Sequence, residues 1–149
     1  MSSAFRIWAS IVSLAIIVQV GLAGYGAFHA VDESDDKGTI GKNVVSDGFS
    51  AHAALGYIIF LAALVLLVLA LIARRAGGPA RLKWSGAILG LVVVQILLAW
   101  AGSASAWLGF LHGVNALAVA GIAGSLAGRE WAAHRGAGGA RAPDPEVRV

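Results

Sequence analysis

Residues 49–73 read FSAHAALGYIIFLAALVLLVLALIA, an apolar run that is stopped by Arg74-Arg75. A helix of about 20 apolar residues crosses the hydrocarbon core of a bilayer, so this run predicts a transmembrane helix. Working outward from it, three further apolar runs predict three more spans, at about residues 7–28, 84–101 and 107–127. Charged residues make up only 13% of the chain, about half the share usual in soluble domains. We therefore expect an all-α membrane protein with four transmembrane helices in an up-down bundle.

The basic residues set the expected orientation of this bundle, which we assign to residues 1–128. They cluster on one side, at Arg6, in the linker of residues 74–83 and beside Arg129. By the positive-inside rule, both termini should be cytoplasmic and the protein should lie in the inner or plasma membrane. Because the basic residues sit beside the spans, the net charge of +3 does not point to a nucleic-acid partner.

The polar segments give further expectations. Residues 31–48 are predicted to be an outer loop, either a lid over the outer face or an ordinary solvated loop. Gly77-Gly78-Pro79 is a helix breaker between the second and third spans. Residues 129–149 are rich in Gly, Ala, Pro and Arg and are predicted to form a disordered cytoplasmic tail. The chain has no cysteine, which excludes disulfides, thiolate metal sites and thiol catalysis.

The two helical hairpins resemble each other in sequence. Residues 18–26 and 94–102 share the pattern V-Q-[VI]-x-L-A-x-x-G, and each of these helices is followed by one with a histidine in its outer part. Similar apolar composition could produce part of this likeness. The shared glutamine and histidine favour a bundle built from two repeated hairpins, related by a pseudo-two-fold axis along the membrane normal.

The two histidines, His52 and His112, are the candidate ligands of a cofactor. They lie at matching depth on the second and fourth helices, which are diagonally opposed in an up-down bundle. Two imidazoles facing each other across the bundle axis are what bis-histidine haem ligation requires, and Gly56 and Gly113 would leave room for the macrocycle. The alternatives are a proton relay, a metal pair, or hydrogen bonds that only join helices. A zinc site lacks a third ligand at this depth.

The amides and the remaining polar residues have less specific interpretations. Gln19 and Gln95, near mid-membrane, either tie the first and third helices together or contact a bound ligand or water. Asn115 satisfies a backbone group or holds the second nitrogen of an imidazole. His29 is a surface group or a contact of a haem propionate, and His134 belongs to the polar tail. Three glycine spacings predict helix packing: Gly86–Gly90, Gly109–Gly113 and Gly121–Gly124.

Together, the glutamines and histidines make most of the chain resemble one four-helix half of the haem A synthase family. The matching positions are Gln19, His52, Gln95 and His112, with the histidines about sixty residues apart. The resemblance implies the family's scaffold and a bis-histidine haem b. The family's active half has a glutamate three residues before the second-helix histidine and an arginine after that histidine. This chain has Phe49 and Ala53 there and lacks the family's outer cysteine pair.

The sequence therefore predicts an integral membrane protein that binds haem b near the outer face and carries electrons or handles haem. Its expected partners are the lipid bilayer, a redox partner or respiratory-chain component, and a second copy of the chain in a homo-oligomer. Because the expected catalytic glutamate is missing, the family's oxidation of a haem methyl is not carried over. The principal alternative is a haem-free accessory or assembly subunit. A small transporter and a membrane enzyme have less support, since no span is broken by proline and no acid–base group is visible.

Overall fold

The computed structural model describes residues 2–37, 41–102 and 104–139. Within these ranges the chain folds into α-helices only, and each helix is long and apolar enough to cross a membrane. This confirms the all-α, four-helix prediction. The helices are α1 (Ser2–Lys37), α2 (Lys42–Ile72), α3 (Arg74–Gly102) and α4 (Ala106–Gly139).

The helices form an up-down bundle with a fixed set of neighbours. α1 packs against α2 and α4, and α3 packs against the same two helices. The pairs α1/α3 and α2/α4 therefore lie on the diagonals of the bundle. This topology follows from short connections, which make consecutive helices antiparallel neighbours.

The helix ends differ from the sequence prediction. α1 continues to Lys37 and α2 begins at Lys42, so the loop predicted over residues 31–48 is wrong for residues 31–37 and 42–48, while residues 38–40 lie outside the described residues. Residues 31–37 contain neither glycine nor proline, and a helix that has left the apolar region tolerates their charges. α4 likewise continues to Gly139, so the predicted disordered tail is wrong for residues 129–139, while residues 140–149 lie outside the described residues.

The helix breaker before the third span is confirmed. Gly78 has φ 68 and ψ 175, and it interrupts the helical backbone inside α3. Glycine adopts this left-handed φ without a Cβ clash, and Pro79 then stands at the start of the next helical stretch, where its missing N–H costs nothing.

The buried hydrophobic core lies at one end of the bundle. We call the part formed by residues 5–16, 59–73, 85–92 and 119–127 the closed end. Every fully buried hydrophobic side chain among the described residues lies there, with spacings of three and four residues on each helix. The largest of them are Phe5, Val12, Leu66 and Ile88. The other end, formed by residues 19–30, 41–56, 95–102 and 106–116, is called the open end.

At the open end, α1 and α2 approach each other most closely through two glycines, Gly26 and Gly48. A Cβ built on Gly26 would lie 2.9 Å from the Gly48 carbonyl oxygen, and one built on Gly48 would lie 3.3 Å from the Gly26 Cα. By contrast, a Cβ on Gly86, Gly90 or Gly113 would meet nothing within 4 Å. The predicted packing role is therefore wrong within the chain for Gly86–Gly90, whereas the Gly109 backbone packs against α3, 3.7 Å from a Cβ built on Gly102.

Candidate functional site

A cavity of about 640 Å³ occupies the open end of the bundle. Its volume falls within the range of about 300–1,000 Å³ that is common for ligand sites. All four helices contribute to its wall, which is mostly apolar, and its polar groups are two glutamines, two histidines, Tyr57 and Trp100. The cavity exists because the buried side chains that fill the closed end have no counterparts at this depth.

In the first hairpin, a glutamine and a histidine are joined by two reciprocal hydrogen bonds. The Gln19 side-chain Nε2 donates to the His52 carbonyl oxygen at 2.8 Å. The His52 Nδ1 lies 3.1 Å from the Gln19 carbonyl oxygen. The pair of bonds joins α1 to α2 and fixes both side chains at the cavity wall.

The second hairpin contains the same two bonds between Gln95 and His112. The Gln95 Nε2 donates to the His112 carbonyl oxygen at 3.0 Å, and the His112 Nδ1 lies 3.0 Å from the Gln95 carbonyl oxygen. Each glutamine is thus bonded within its own hairpin. The predicted tie between the first and third helices is not present.

These bonds determine which nitrogen of each imidazole carries a proton. A carbonyl oxygen only accepts hydrogen bonds, so the Nδ1 of His52 and of His112 must donate. In the neutral ring, Nε2 is then the nitrogen with a free lone pair. No described residue bonds to either Nε2.

The structure brings the two imidazoles together across the diagonal of the bundle. The ring centroids of His52 and His112 are 6.2 Å apart, with an angle of 56° between the ring planes. Both rings line the cavity and both are partly buried. The ring of Phe49 packs edge-on against His52, with centroids 6.0 Å apart and an interplanar angle of 88°.

The two hairpins differ in how they satisfy the glutamine oxygen. Asn115 donates from Nδ2 to the Gln95 Oε1 at 2.5 Å and to the Leu91 carbonyl oxygen at 2.9 Å. Asn115 therefore satisfies a backbone group, as one sequence interpretation held, and does not bond to an imidazole. The Gln19 Oε1 is buried and has no hydrogen-bond partner in the part of the chain that the structure describes. Leu55 stands three residues after His52, where the second hairpin has Asn115 three residues after His112.

The other predicted site residues lie in different places. Gly56 lines the cavity, and a Cβ built on it would lie 3.2 Å from the Gln19 Nε2. Gly113 does not line the cavity, whereas Gly109 does. His29 stacks on Tyr25, with ring centroids 5.9 Å apart, and lies outside the cavity wall. His134 is exposed on the last part of α4, beside the ring of Trp131.

Sequence reasoning missed the contact between Tyr57 and Trp100. The Trp100 Nε1 donates to the Tyr57 hydroxyl at 3.3 Å, which joins α2 to α3 at the cavity wall. The available signal was Tyr57, an aromatic residue with a hydroxyl group, one turn after Ala53 on the helix that carries His52. Its partner, Trp100, lies 43 residues away in sequence.

The fold and the cavity place the chain in a broad class, the all-α proteins whose four helices are long and apolar enough to cross a membrane and enclose a mostly apolar cavity. Comparison with protein-family models, with curated proteins and with solved structures found no match. The resemblance to haem A synthases therefore stays a prediction. Among the described residues there is no group of three or more His, Cys, Asp or Glu side chains that could hold a metal ion.

Proposed function

We propose that this protein binds haem b in the cavity of the open end, with His52 and His112 as its axial ligands, and that it carries electrons or handles haem. The observation that carries the proposal is the pair of imidazoles lining one cavity, each with Nδ1 bonded to a carbonyl and Nε2 free. The resemblance of the glutamine and histidine positions to haem A synthases supports the same cofactor.

The separation of the rings fits this assignment. Two imidazoles that bind one metal from opposite sides, through bonds of about 2.0 Å, have ring centroids about 6 Å apart. The observed distance is 6.2 Å. The apolar wall of the cavity suits a macrocycle, whereas the lack of a third ligand in the described part of the chain argues against a bare metal ion.

The glutamines also hold the proposed ligands in position. Each histidine needs its Nδ1 bonded if its Nε2 is to be held as the ligating nitrogen, and the backbone carbonyls of Gln19 and Gln95 accept those bonds. Each glutamine side chain in turn fixes the helix backbone at its histidine. Haem bound in this way would supply a one-electron redox couple without an open coordination position.

We do not extend the proposal to oxidation of a haem methyl group. The resemblance places the family's glutamate at position 49, where this chain has Phe49, whose ring packs against His52. A phenyl ring neither accepts nor donates a proton. A redox partner or respiratory-chain component remains the predicted recipient of the electron.

We further infer that the bundle arose from two repeated hairpins and that both termini are cytoplasmic. Many cavity residues occur in pairs that are 76 residues apart between α1 and α3, or 60 residues apart between α2 and α4. The basic residues next to the closed end favour the cytoplasm for that end, which puts the cavity near the outer face. The pairs are Ile16/Val92, Gln19/Gln95, Val20/Ile96, Phe49/Gly109, His52/His112, Gly56/Ala116 and Ile59/Val119.

One observation favours the alternative, a haem-free accessory or assembly subunit of a membrane complex. The four glutamine–histidine bonds join helices within the chain, and such bonds stabilise membrane helices without any cofactor, by about 0.6 kcal/mol each on average. In that case the cavity would have no haem and the histidines would serve packing only.

The absorption spectrum of the detergent-purified protein, oxidised and then reduced with dithionite, separates the two functions. We expect the spectrum of a low-spin haem b, with either His52→Ala or His112→Ala making it high-spin or removing it. His29→Ala is the matched control, because this histidine lies outside the cavity wall, and its spectrum should equal that of the wild type. A colourless protein that takes up no added haemin, or variants of His52 and His112 with wild-type spectra, would contradict the proposal.

A further inference from the structure

We infer that a groove between α3 and α4 at the closed end binds a phospholipid with an anionic headgroup, independently of the cavity at the open end. The groove has a volume of about 300 Å³. Ala118, Gly121 and Ile122 form its apolar part, and Trp84, Ser125 and Arg129 its polar mouth.

The shape of the groove suits an acyl chain. Residues 118, 121, 122, 125 and 129 fall on one face of α4, and at a rise of 1.5 Å per residue this face extends about 16 Å along the helix axis. A Cβ built on Gly121 would meet nothing within 4 Å, so the small residues leave the groove unfilled. A groove along a membrane-spanning helix runs in the direction of the lipid chains.

The charge at the mouth suits a phosphate. The guanidinium of Arg129 and the ammonium of Lys83 each lie 5.6 Å from the ring centroid of Trp84. Neither cation contacts a carboxylate among the residues that the structure describes. The neighbouring carboxylate of Glu130 is occupied by Arg81, through two bonds of 2.8 and 2.6 Å. Arg129 therefore puts a positive charge in the mouth, and Lys83, which does not line the groove, adds a second one beside the same interfacial tryptophan.

This combination favours an anionic lipid over the other occupants of a membrane groove. A second copy of the chain, related by two-fold symmetry, would bring Arg129 and Lys83 close to their own copies and would be repelled. A zwitterionic lipid would bring its own cation to a mouth that already contains the Arg129 guanidinium, with the Lys83 ammonium beside Trp84. A phosphate with a net negative charge, joined to an apolar chain, complements both parts of the groove.

The test is native mass spectrometry of the full-length protein in detergent, titrated with dioleoylphosphatidylglycerol or with dioleoylphosphatidylcholine. We expect one phosphatidylglycerol to bind saturably per chain and phosphatidylcholine to bind more weakly. Arg129→Gln and Lys83→Gln should each weaken binding of phosphatidylglycerol about fivefold, since one cation near a phosphate is lost. Gly121→Leu should weaken both lipids, because the new side chain fills the acyl part of the groove.

Arg135→Gln is the control, because this arginine is exposed on α4 and does not line the groove. Its affinity for phosphatidylglycerol should equal that of the wild type. Equal binding of the two lipids, equal effects of Arg135→Gln and Arg129→Gln, or no saturable lipid binding would overturn the inference. Retention of a protein dimer in place of lipid would overturn it as well.

Discussion

The difference between the two hairpins at Asn115 and Leu55 gives a prediction that can be worked out from the hydrogen bonds. Replacing Asn115 by leucine removes two bonds, at 2.9 Å to the Leu91 carbonyl oxygen and at 2.5 Å to the Gln95 Oε1. Interhelical bonds in membranes are worth about 0.6 kcal/mol each on average. The Gln95 Oε1 would also be left without this donor, at a cost of about 1–3 kcal/mol.

The apolar surface of the leucine offsets about 1 kcal/mol of this loss, because the position is half-buried. We therefore expect Asn115→Leu to lower the free energy of unfolding by about 1–3 kcal/mol. The assay is equilibrium unfolding of the haem-free protein in dodecyl maltoside with increasing dodecyl sulfate, followed by circular dichroism.

The reverse change in the first hairpin sharpens the test. By analogy with Asn115 beside Gln95, Leu55→Asn should supply a donor to the buried Gln19 Oε1, which has no hydrogen-bond partner among the described residues. The new bond should offset the lost leucine packing, so stability should change by less than about 0.5 kcal/mol. The control is Leu64→Asn, which puts the same amide on the exposed, lipid-side face of α2 and should cost about 2 kcal/mol.

Two results would refute this reasoning. One is an Asn115→Leu variant as stable as the wild type, which would mean that the amide bonds add nothing. The other is a Leu55→Asn variant as destabilised as Leu64→Asn, which would mean that the Gln19 oxygen already has a partner.

Three further predictions concern packing, charge and the cavity. Gly26→Ala places a methyl group 2.8 Å from a side-chain carbon of α2. It should lower the free energy of unfolding by about 1–3 kcal/mol in the same assay. Gly24→Ala, whose methyl group would meet no atom within 4 Å, should leave the free energy of unfolding unchanged. Glu130→Gln removes the negative partner of an ion pair whose side chains are only 13% and 12% exposed, and should cost about 3 kcal/mol. Ala116→Phe, inside the cavity, should abolish haemin uptake measured by absorbance, whereas Gly113→Phe, outside it, should leave uptake intact.

Hydropathy predicted the four helices but not where they end. The length of an apolar run indicates how much of a helix lies within the lipid, and the helix can continue beyond that run. Residues 31–37 and 129–135 carry most of the charge near these ends but contain neither glycine nor proline, so α1 and α4 extend through them. The break at Gly78 was predictable because a Gly-Gly-Pro sequence acts locally on the backbone.

The residues of the candidate site could be predicted from the sequence, but the hydrogen bonds between them could not. The histidines and glutamines stand out because polar side chains are costly in a membrane. Their reciprocal bonds join residues that are 33 and 17 positions apart, so they depend on the rotation of each helix about its axis, which no local pattern fixes. The same applies to Gly113, which the sequence placed beside the cofactor and the structure places outside the cavity wall.

The most direct test of the proposed function is a titration of the haem-free protein with haemin, followed by electron paramagnetic resonance of the saturated sample. The proposal predicts saturation at one haem per chain and the low-spin ferric signal of two imidazole ligands. It also predicts that a variant with both His52→Ala and His112→Ala gives neither. Haemin binding without saturation, or a low-spin signal that survives in the double variant, would contradict the assignment of this histidine pair as the haem ligands.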